Sequence, residues 1–289
     1  MANSSEPRPS RIFDAAWRSA ARRIRLKFDR YLRFYGEDEQ VLTFGENWGV
    51  YEYPDGQNQI WFDSRHQVLR STACLNHPAI MDLVSQIPEA IGPISLFVTY
   101  LYGARSDKST SGSRVVCNVA AKSRAMLKRV TGDRELSVLA PHDCNDDALP
   151  FRGILDSSQY DGVVFPDASA KLRLSWLAGS FDHEIVCEKA RDQQSGEIVG
   201  FKPIGKLKGS RYLVADDLCD GGATFIRVAQ MMPGCLLDLS VIHGVFSGRA
   251  LDRLFSAGYA RIWTTNSYVQ HLTEDEIEIQ SRCNVQNVW

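Results

Sequence analysis

Short apolar runs recur along this chain with helical patterns between them, and no other feature constrains the fold as strongly. The runs lie at 94–98, 136–139, 162–165, 184–187, 211–215, 237–242 and 261–264, and helical patterns such as 115–129 and 225–232 separate them. Strands that alternate with helices build mainly parallel sheets flanked by helices, and such sheets bind ligands just beyond the carboxyl ends of their strands. A chain of 289 residues has room for two domains of ordinary size. An α/β protein is therefore expected, with its functional residues directly after the apolar runs.

Composition narrows the function classes. A formal charge of -2 with 44% hydrophobic and 24% charged residues is ordinary globular usage. It gives no field that favours a nucleic acid or a membrane as partner. The 7 cysteines include no CxxC pair and no close Cys/His cluster, which points to a reducing cytoplasm and no zinc site. There is no uninterrupted apolar leader and no apolar run of about eighteen residues, so a soluble, cytoplasmic chain is expected. Residues 1–10 carry Ser4, Ser5, Pro7 and Pro9 and read as a disordered start. Over 11–35, Phe13, Trp17, Ala21, Ile24, Phe28, Tyr31, Leu32 and Tyr35 recur at helical spacing while arginines occupy the other faces. This predicts an N-terminal amphipathic helix packed on the body or on a second subunit; a membrane or targeting role for its basic face is the alternative.

The segment Tyr212-Leu-Val-Ala-Asp216-Asp217-Leu-Cys-Asp220-Gly221-Gly222-Ala223-Thr224-Phe225 carries the most chemistry. An apolar strand leads to two acids, a glycine-rich turn and a helix start. Backbone N–H groups of such a turn and helix receive a phosphate, and the Thr224 hydroxyl can add to them. Acids at a strand end can hold a ribose diol.

The segment resembles the phosphoribosyl-diphosphate loop shared by type I phosphoribosyltransferases and ribose-phosphate pyrophosphokinases. Further segments resemble the pyrophosphokinases in the right order, from about residue 39 to residue 267. Tyr100-Leu-Tyr-Gly-Ala-Arg105-Ser-Asp107-Lys108 is similar to that family's ATP-contacting segment, with Ser106 in place of a glutamine and Lys108 in place of an arginine. Leu139-Ala-Pro-His142-Asp143 resembles the strand end of the family's metal-linked histidine. Val163-Val-Phe-Pro166-Asp167 resembles the strand end of its magnesium-binding aspartate, followed here by Ala168, Ser169 and Ala170 where the family has paired glycines. Cys187-Glu188-Lys189-Ala190-Arg191 resembles the Lys-x-Arg motif at the root of a mobile catalytic loop. Ile242-His243-Gly244-Val-Phe-Ser247-Gly248 resembles a strand end near the ribose, where Ser247 also reads as a helix N-cap. Tyr53-Pro-Asp55-Gly56-Gln57 is similar to a hairpin that serves a neighbouring subunit's adenine pocket, and equally to a plain turn.

The resemblance implies Mg²⁺-dependent transfer of the β,γ-diphosphoryl group of ATP to the C1 hydroxyl of ribose 5-phosphate. Lys189 and Arg191 are then catalytic. Asp216, Asp217, Asp220, Gly221, Gly222, Ala223, Thr224 and His243 bind ribose and phosphate; Arg105, Asp107, Lys108, Tyr53, Asp55 and Gln57 bind ATP; His142 and Asp167 hold the metal. It also implies two phosphoribosyltransferase-like domains, at 37–150 and 151–275, with an extension at 1–36, a tail at 276–289 and a homo-oligomer. Gly221 stands where the family loop has threonine. That loss of a hydroxyl, with the room it leaves, keeps open ADP-ribose as acceptor, as in NAD salvage. A catalytically silent regulatory homologue of the synthase is the alternative of another class.

Overall fold

The structure is a computed structural model that describes residues 28–53, 57–106, 110–111, 114–142, 148–149, 156–177, 179–191, 198–204, 209–270 and 273–289. Two compact units emerge: Met1–Leu96 with Ala125–Leu136, and Phe97–Arg124 with Ser137–Trp289. In chain order the first elements are β1 (Leu32–Tyr35), β2 (Trp48–Glu52), β3 (Asn58–Phe62), β4 (Arg70–Cys74), α1 (Pro78–Ile91) and β5 (Ser95–Tyr100). The two short strands β6 (Thr110–Ser111) and β7 (Arg114–Val115) precede α2 (Val119–Thr131), β8 (Leu136–Leu139) and β9 (Ala148–Leu149). Then come β10 (Gly162–Phe165), α3 (Ala168–Arg173), β11 (Glu184–Arg191), β12 (Ile198–Ile204), β13 (Arg211–Cys219) and α4 (Ala223–Met231). The chain ends with β14 (Leu236–Gly244), α5 (Ala250–Ser256), β15 (Tyr259–Thr265), α6 (Thr273–Arg282) and β16 (Asn284–Gln286). One sheet has the order β1-β4-β5-β8-β9 and the other β12-β11-β10-β13-β14-β15-β16.

The helix expected over 11–35 needs correction at its end, and its residues 11–27, like the start at 1–10, lie outside the described residues. Leu32–Tyr35 is a strand, antiparallel to β4 with Leu32 opposite Ala73 and Tyr35 opposite Arg70. The spacing of Phe28, Tyr31, Leu32 and Tyr35 suits a helix, but Phe34, off that stripe, is fully buried. Its ring stands edge-on to Trp48 at 4.6 Å and to Phe62 at 5.0 Å. Pairing with β4 and this aromatic cluster override local periodicity. The helix expected at 115 begins at Val119 instead, because Val115 pairs with Thr110. Asn118 Oδ1 accepts from the Ala121 N–H at 2.8 Å, an N-terminal cap of the usual kind.

The second sheet explains why its strands read as continuous apolar runs. Every neighbouring pair is parallel except β11 with β12. Alternate residues enter different cores: Tyr212 and Val214 pack with Phe225, Leu251 and Leu254, whereas Leu213 and Ala215 pack with Phe165, Leu174 and Phe181. Both faces are covered, so neither side of the strand can be polar. Residues 276–289, set apart above as a tail, complete this sheet. β16 runs parallel to β15, and Trp289 Nε1 donates to the Asn266 carbonyl at 2.9 Å. Among the described residues, no helix is long and apolar enough to cross a membrane.

Near the N-terminal ends of these strands, fully buried Asp238 gathers a cluster on one carboxylate oxygen. Tyr160 Oη donates at 2.9 Å, Arg211 Nη2 at 3.1 Å and Arg261 Nη2 at 2.9 Å. Removing the acid strands two arginines beside a buried tyrosine. Asp238→Ala should therefore lower stability by about 3 kcal/mol, read from the urea midpoint. A loss below about 1 kcal/mol would mean that solvent carries these arginines.

Candidate active site

Four strands carry the residues singled out in the sequence, in their second halves or directly after them. β13 carries Asp216 and Asp217 and runs into the glycine turn; β8 leads to His142, β10 to Asp167, and β14 bears His243. Asp216 and Asp217 are 8% and 2% exposed. Two buried neighbouring carboxylates need a counterion, and Arg173 at the end of α3 supplies it. Its Nε donates to Asp217 Oδ1 at 2.8 Å and its Nη2 to Asp216 Oδ1 at 2.9 Å. His142 Nδ1 meets Asp217 Oδ2 at 2.7 Å.

The two acids are held in opposite ways. Burial and the adjacent charge of Asp217 push Asp216 well above the usual carboxylate range. Burial also opposes ionisation of Asp217, but the His142 hydrogen bond and the Arg173 charge outweigh it and hold that carboxyl well below the usual range. Both oxygens of Asp217 are taken by cationic or N–H partners. Asp216 Oδ1 accepts from Arg173 and from the Asp217 backbone N–H at 2.9 Å. The two carboxyls also hydrogen-bond each other, which favours the protonated form of Asp216 and the ionised form of Asp217.

After β13, Gly222 takes φ 79° and leads into α4 with no side chain capping the helix. A Cβ at Gly222 would be strained by that φ and would press on Leu254, so glycine is required there. The first-turn N–H groups of α4, near Ala223 and Thr224, are thus open to an anion. Asp220 is tied on both oxygens: Arg105 Nη1 donates to Oδ2 at 2.5 Å, and the Ser247 hydroxyl donates to Oδ1. Ser247 is accordingly not the N-cap that its position suggests; Arg249 occupies that place without a side-chain bond. Its hydroxyl is spent on the carboxylate of the turn instead.

Asp167 caps α3, with Oδ1 accepting from the Ala170 N–H at 2.8 Å, and its charge also acts on Arg173. His243 is 3% exposed and has both ring nitrogens engaged by protein: Nδ1 with Ser267 Oγ at 2.8 Å and Nε2 with the Ala140 carbonyl at 3.1 Å. The ring therefore offers no nitrogen to a sugar, which departs from the ribose-binding expectation. Lys189 and Arg191 lie on β11, which pairs antiparallel with β12 in a hairpin. In the first unit, Tyr53 and Gln57 close the β2–β3 hairpin with a 2.8 Å backbone hydrogen bond, and Tyr53 Oη donates to Gln59 at 2.7 Å. Asp55, Asp107, Lys108 and Asp143 lie outside the described residues.

The donor chemistry suits a hard cation in part. No group of three or more His, Cys, Asp or Glu that could hold a metal occurs among the described residues, but Mg²⁺ keeps several waters and takes phosphate oxygens as ligands, so it does not need one. Asp167 supplies carboxylate oxygen. Since the Asp217 carboxylate only accepts, His142 Nδ1 carries the proton and Nε2 faces away from that bond. A histidine oriented through a carboxylate is the usual arrangement around ligated metals, although imidazole is a softer partner than Mg²⁺ prefers.

Arg173 and Ser267 escaped the sequence reading. A signal for Arg173 existed: a buried acid pair requires a cation from a neighbouring element, and α3 offers one in its last turn. No local pattern marks Ser267, which follows β15 and meets His243 only through the fold.

Comparison with known proteins agrees with this geometry. The chain is 24% identical over 222 residues to the ribose-phosphate pyrophosphokinase of Maricaulis maris, covering 70% of this chain and 72% of that one. It is 27% identical over 199 residues to the enzyme of that name from Sulfolobus acidocaldarius, covering 61% of this chain and 66% of the relative. The chain is a divergent relative of the ribose-phosphate pyrophosphokinases. The phosphoribosylpyrophosphate synthetase structure from Mycobacterium smegmatis superposes with a TM-score of 0.63 over 83% of this chain and 85% of that one, at 18% identity, which extends the likeness to the fold. No family model matches the chain.

Arg173 should govern the pH dependence of stability. In the native chain the folded-state pKa of Asp217 lies below its unfolded value, so its contribution is present above about pH 4 and is lost as pH falls through the folded value, while Asp216, raised, contributes with the opposite sign. In Arg173→Met the pair loses its cation and both carboxyls move upward, which reverses the sign: stability is kept at low pH and lost as pH rises. The Tm difference between native and Arg173→Met protein, measured by calorimetry, should therefore widen from pH 4.5 to pH 8. A difference constant across that range would show that Arg173 acts by packing alone.

Proposed function

We propose that the chain transfers the β,γ-diphosphoryl group of ATP to the C1 hydroxyl of a ribose phosphate. The observation that carries this reading is the buried Asp216–Asp217 pair, clamped by Arg173 and His142, directly before a glycine turn and an uncapped helix. A diol acceptor next to a phosphate cradle is what a ribose 5-phosphate needs. The likeness to ribose-phosphate pyrophosphokinases supports the same chemistry.

In this reading the C1 oxygen bonds to the β-phosphorus, the bond from that phosphorus to the α,β-bridging oxygen breaks, and AMP leaves with the bridging oxygen. The hydroxyl proton is released. Asp216 and Asp217 orient the sugar diol, and the two partners of Asp217 fix the geometry of the pair. The turn from Asp220 to Thr224 receives the 5-phosphate. Lys189 and Arg191 neutralise charge on the group in flight, while Arg105, Asp107, Lys108, Tyr53, Asp55 and Gln57 serve ATP. Mg²⁺, held at Asp167 and His142 together with the phosphates, supplies charge neutralisation when bound. Positioning and electrostatics provide most of the rate in such transfers.

A second acceptor is favoured by one observation. Gly221 has an ordinary φ, and a Cβ there would meet only Arg253 Nη2, at 3.7 Å. The fold does not require glycine at this position, so its absence of a side chain opens space beside a guanidinium that pairs with no acid among the described residues. That suits a ribose whose 5-phosphate continues into a second phosphate, as in ADP-ribose.

Mass spectrometry of products from MgATP with ribose 5-phosphate or ADP-ribose tests both. AMP and a diphosphorylated sugar are expected, with Lys189→Ala slower by about 10²–10³-fold. Formation of AMP from neither acceptor above that variant would leave the silent regulatory homologue as the reading. Gly221→Thr should lower KM for ribose 5-phosphate a fewfold by adding a hydroxyl worth about 0.5–1.5 kcal/mol, and raise KM for ADP-ribose. The reverse pattern would exclude the second acceptor.

A further inference from the structure

Ala140 has a φ of 38°, a left-handed conformation that a residue with a Cβ keeps only when its surroundings impose it. Two residues on, His142 makes its contact with Asp217. The Ala140 carbonyl is held by His243 Nε2 at 3.1 Å. A carbonyl only accepts, so Nε2 bears the proton; burial disfavours the charged ring, and Nδ1 then accepts from Ser267 Oγ at 2.8 Å. Ser267 is itself anchored, its carbonyl accepting from Thr99 Oγ1 at 2.9 Å and its N–H donating to Thr265 Oγ1 at 3.1 Å. The Tyr100 ring stands edge-on to His243 at 5.2 Å, and Gln270 Nε2 donates to the adjacent Gly244 carbonyl at 2.9 Å. The imidazole is thus fixed in place and tautomer from several sides, with one N–H aimed at the strained turn.

We propose that His243 is a positioning residue: its Nε2–H holds the Ala140 turn and thereby aims the His142 imidazole at Asp217, so that it serves the acid pair without touching the sugar. The catalytic consequence rests on the transferase reading, whereas the structural consequence rests on geometry alone. A side chain at 243 that still donates should work, and one that cannot donate should let the turn relax and His142 drift.

His243→Gln keeps an N–H donor of similar reach, and His243→Leu removes it. Two measurements on the full chain decide the matter: long-range ¹H–¹⁵N correlation of the His142 ring, and kcat and KM with MgATP and ribose 5-phosphate. The native protein and His243→Gln should show His142 fixed as the Nδ1–H form. In His243→Leu the ring should exchange between tautomers, kcat should fall about tenfold or more, and acceptor KM should hold. An unchanged His142 spectrum in His243→Leu, equal kcat losses in the two variants, or a loss confined to acceptor KM would each overturn the proposal. Should His243→Leu fail to fold, Ser267→Ala takes its place: it should loosen the His243 tautomer and lower kcat by a smaller factor, and no change in either counts against the proposal. A native protein that makes no AMP from any acceptor removes the transferase reading alone, since the spectra still decide the role of His243.

Discussion

The arginine between two buried carboxylates is the interaction on which the rest of the site depends. Asp216 and Asp217 are consecutive on β13, and their burial follows from the sheet: covered on both faces, the strand carries them out of water whether or not they are charged. Without Arg173 the pair could be buried only by taking up protons. The Arg173 charge favours ionisation of both, yet only Asp217, which also has His142, ends below the usual range, while burial and the Asp217 charge keep Asp216 above it. Such a division gives two chemically different groups, one protonated and one ionised, from identical side chains. The carboxylate saturated by His142 and Arg173 becomes a rigid reference point for the pair.

The helix that carries the cation is itself well held. Ala168, Ser169 and Ala170 start a short helix that brings Arg173 to β13, and Asp167 caps it through the Ala170 N–H. Alanine favours that helix, so the guanidinium reaches the acids from a stable turn.

Much of this was legible in the sequence because parallel strands covered on both faces announce themselves as apolar runs, and the chemically loaded residues follow them directly. Asp216, Asp217 and the glycine turn stand out for that reason, whereas His142 stands out through the resemblance of its segment. What could not be read depends on contacts between distant segments. Leu32 and Tyr35 match a helical stripe, and only their pairing with β4 makes them strand residues. Arg173 looks like a solvated helix end until the acids beside it are seen to be buried. Ser247 fits a capping position, yet Asp220 outcompetes the helix for its hydroxyl. His243 has the sequence context of a ligand-binding residue, and only its burial and its bonds to Ala140 and Ser267 reveal where its nitrogens are spent.

Gly221 and Gly222 show how such a site can change acceptor while the fold stays as it is. Gly222 is demanded by its left-handed backbone and by Leu254, so it belongs to the fold. Gly221 has neither constraint, and the open space beside it ends at Arg253. A side chain could be gained or lost there without moving β13 or α4, because the sheet on one side and the helix on the other are fixed by their own cores. Under the proposed transferase reading, the acceptor would be chosen in this turn, by residues that carry little of the stability, while the acid pair behind it is locked by Arg173 and cannot vary as freely.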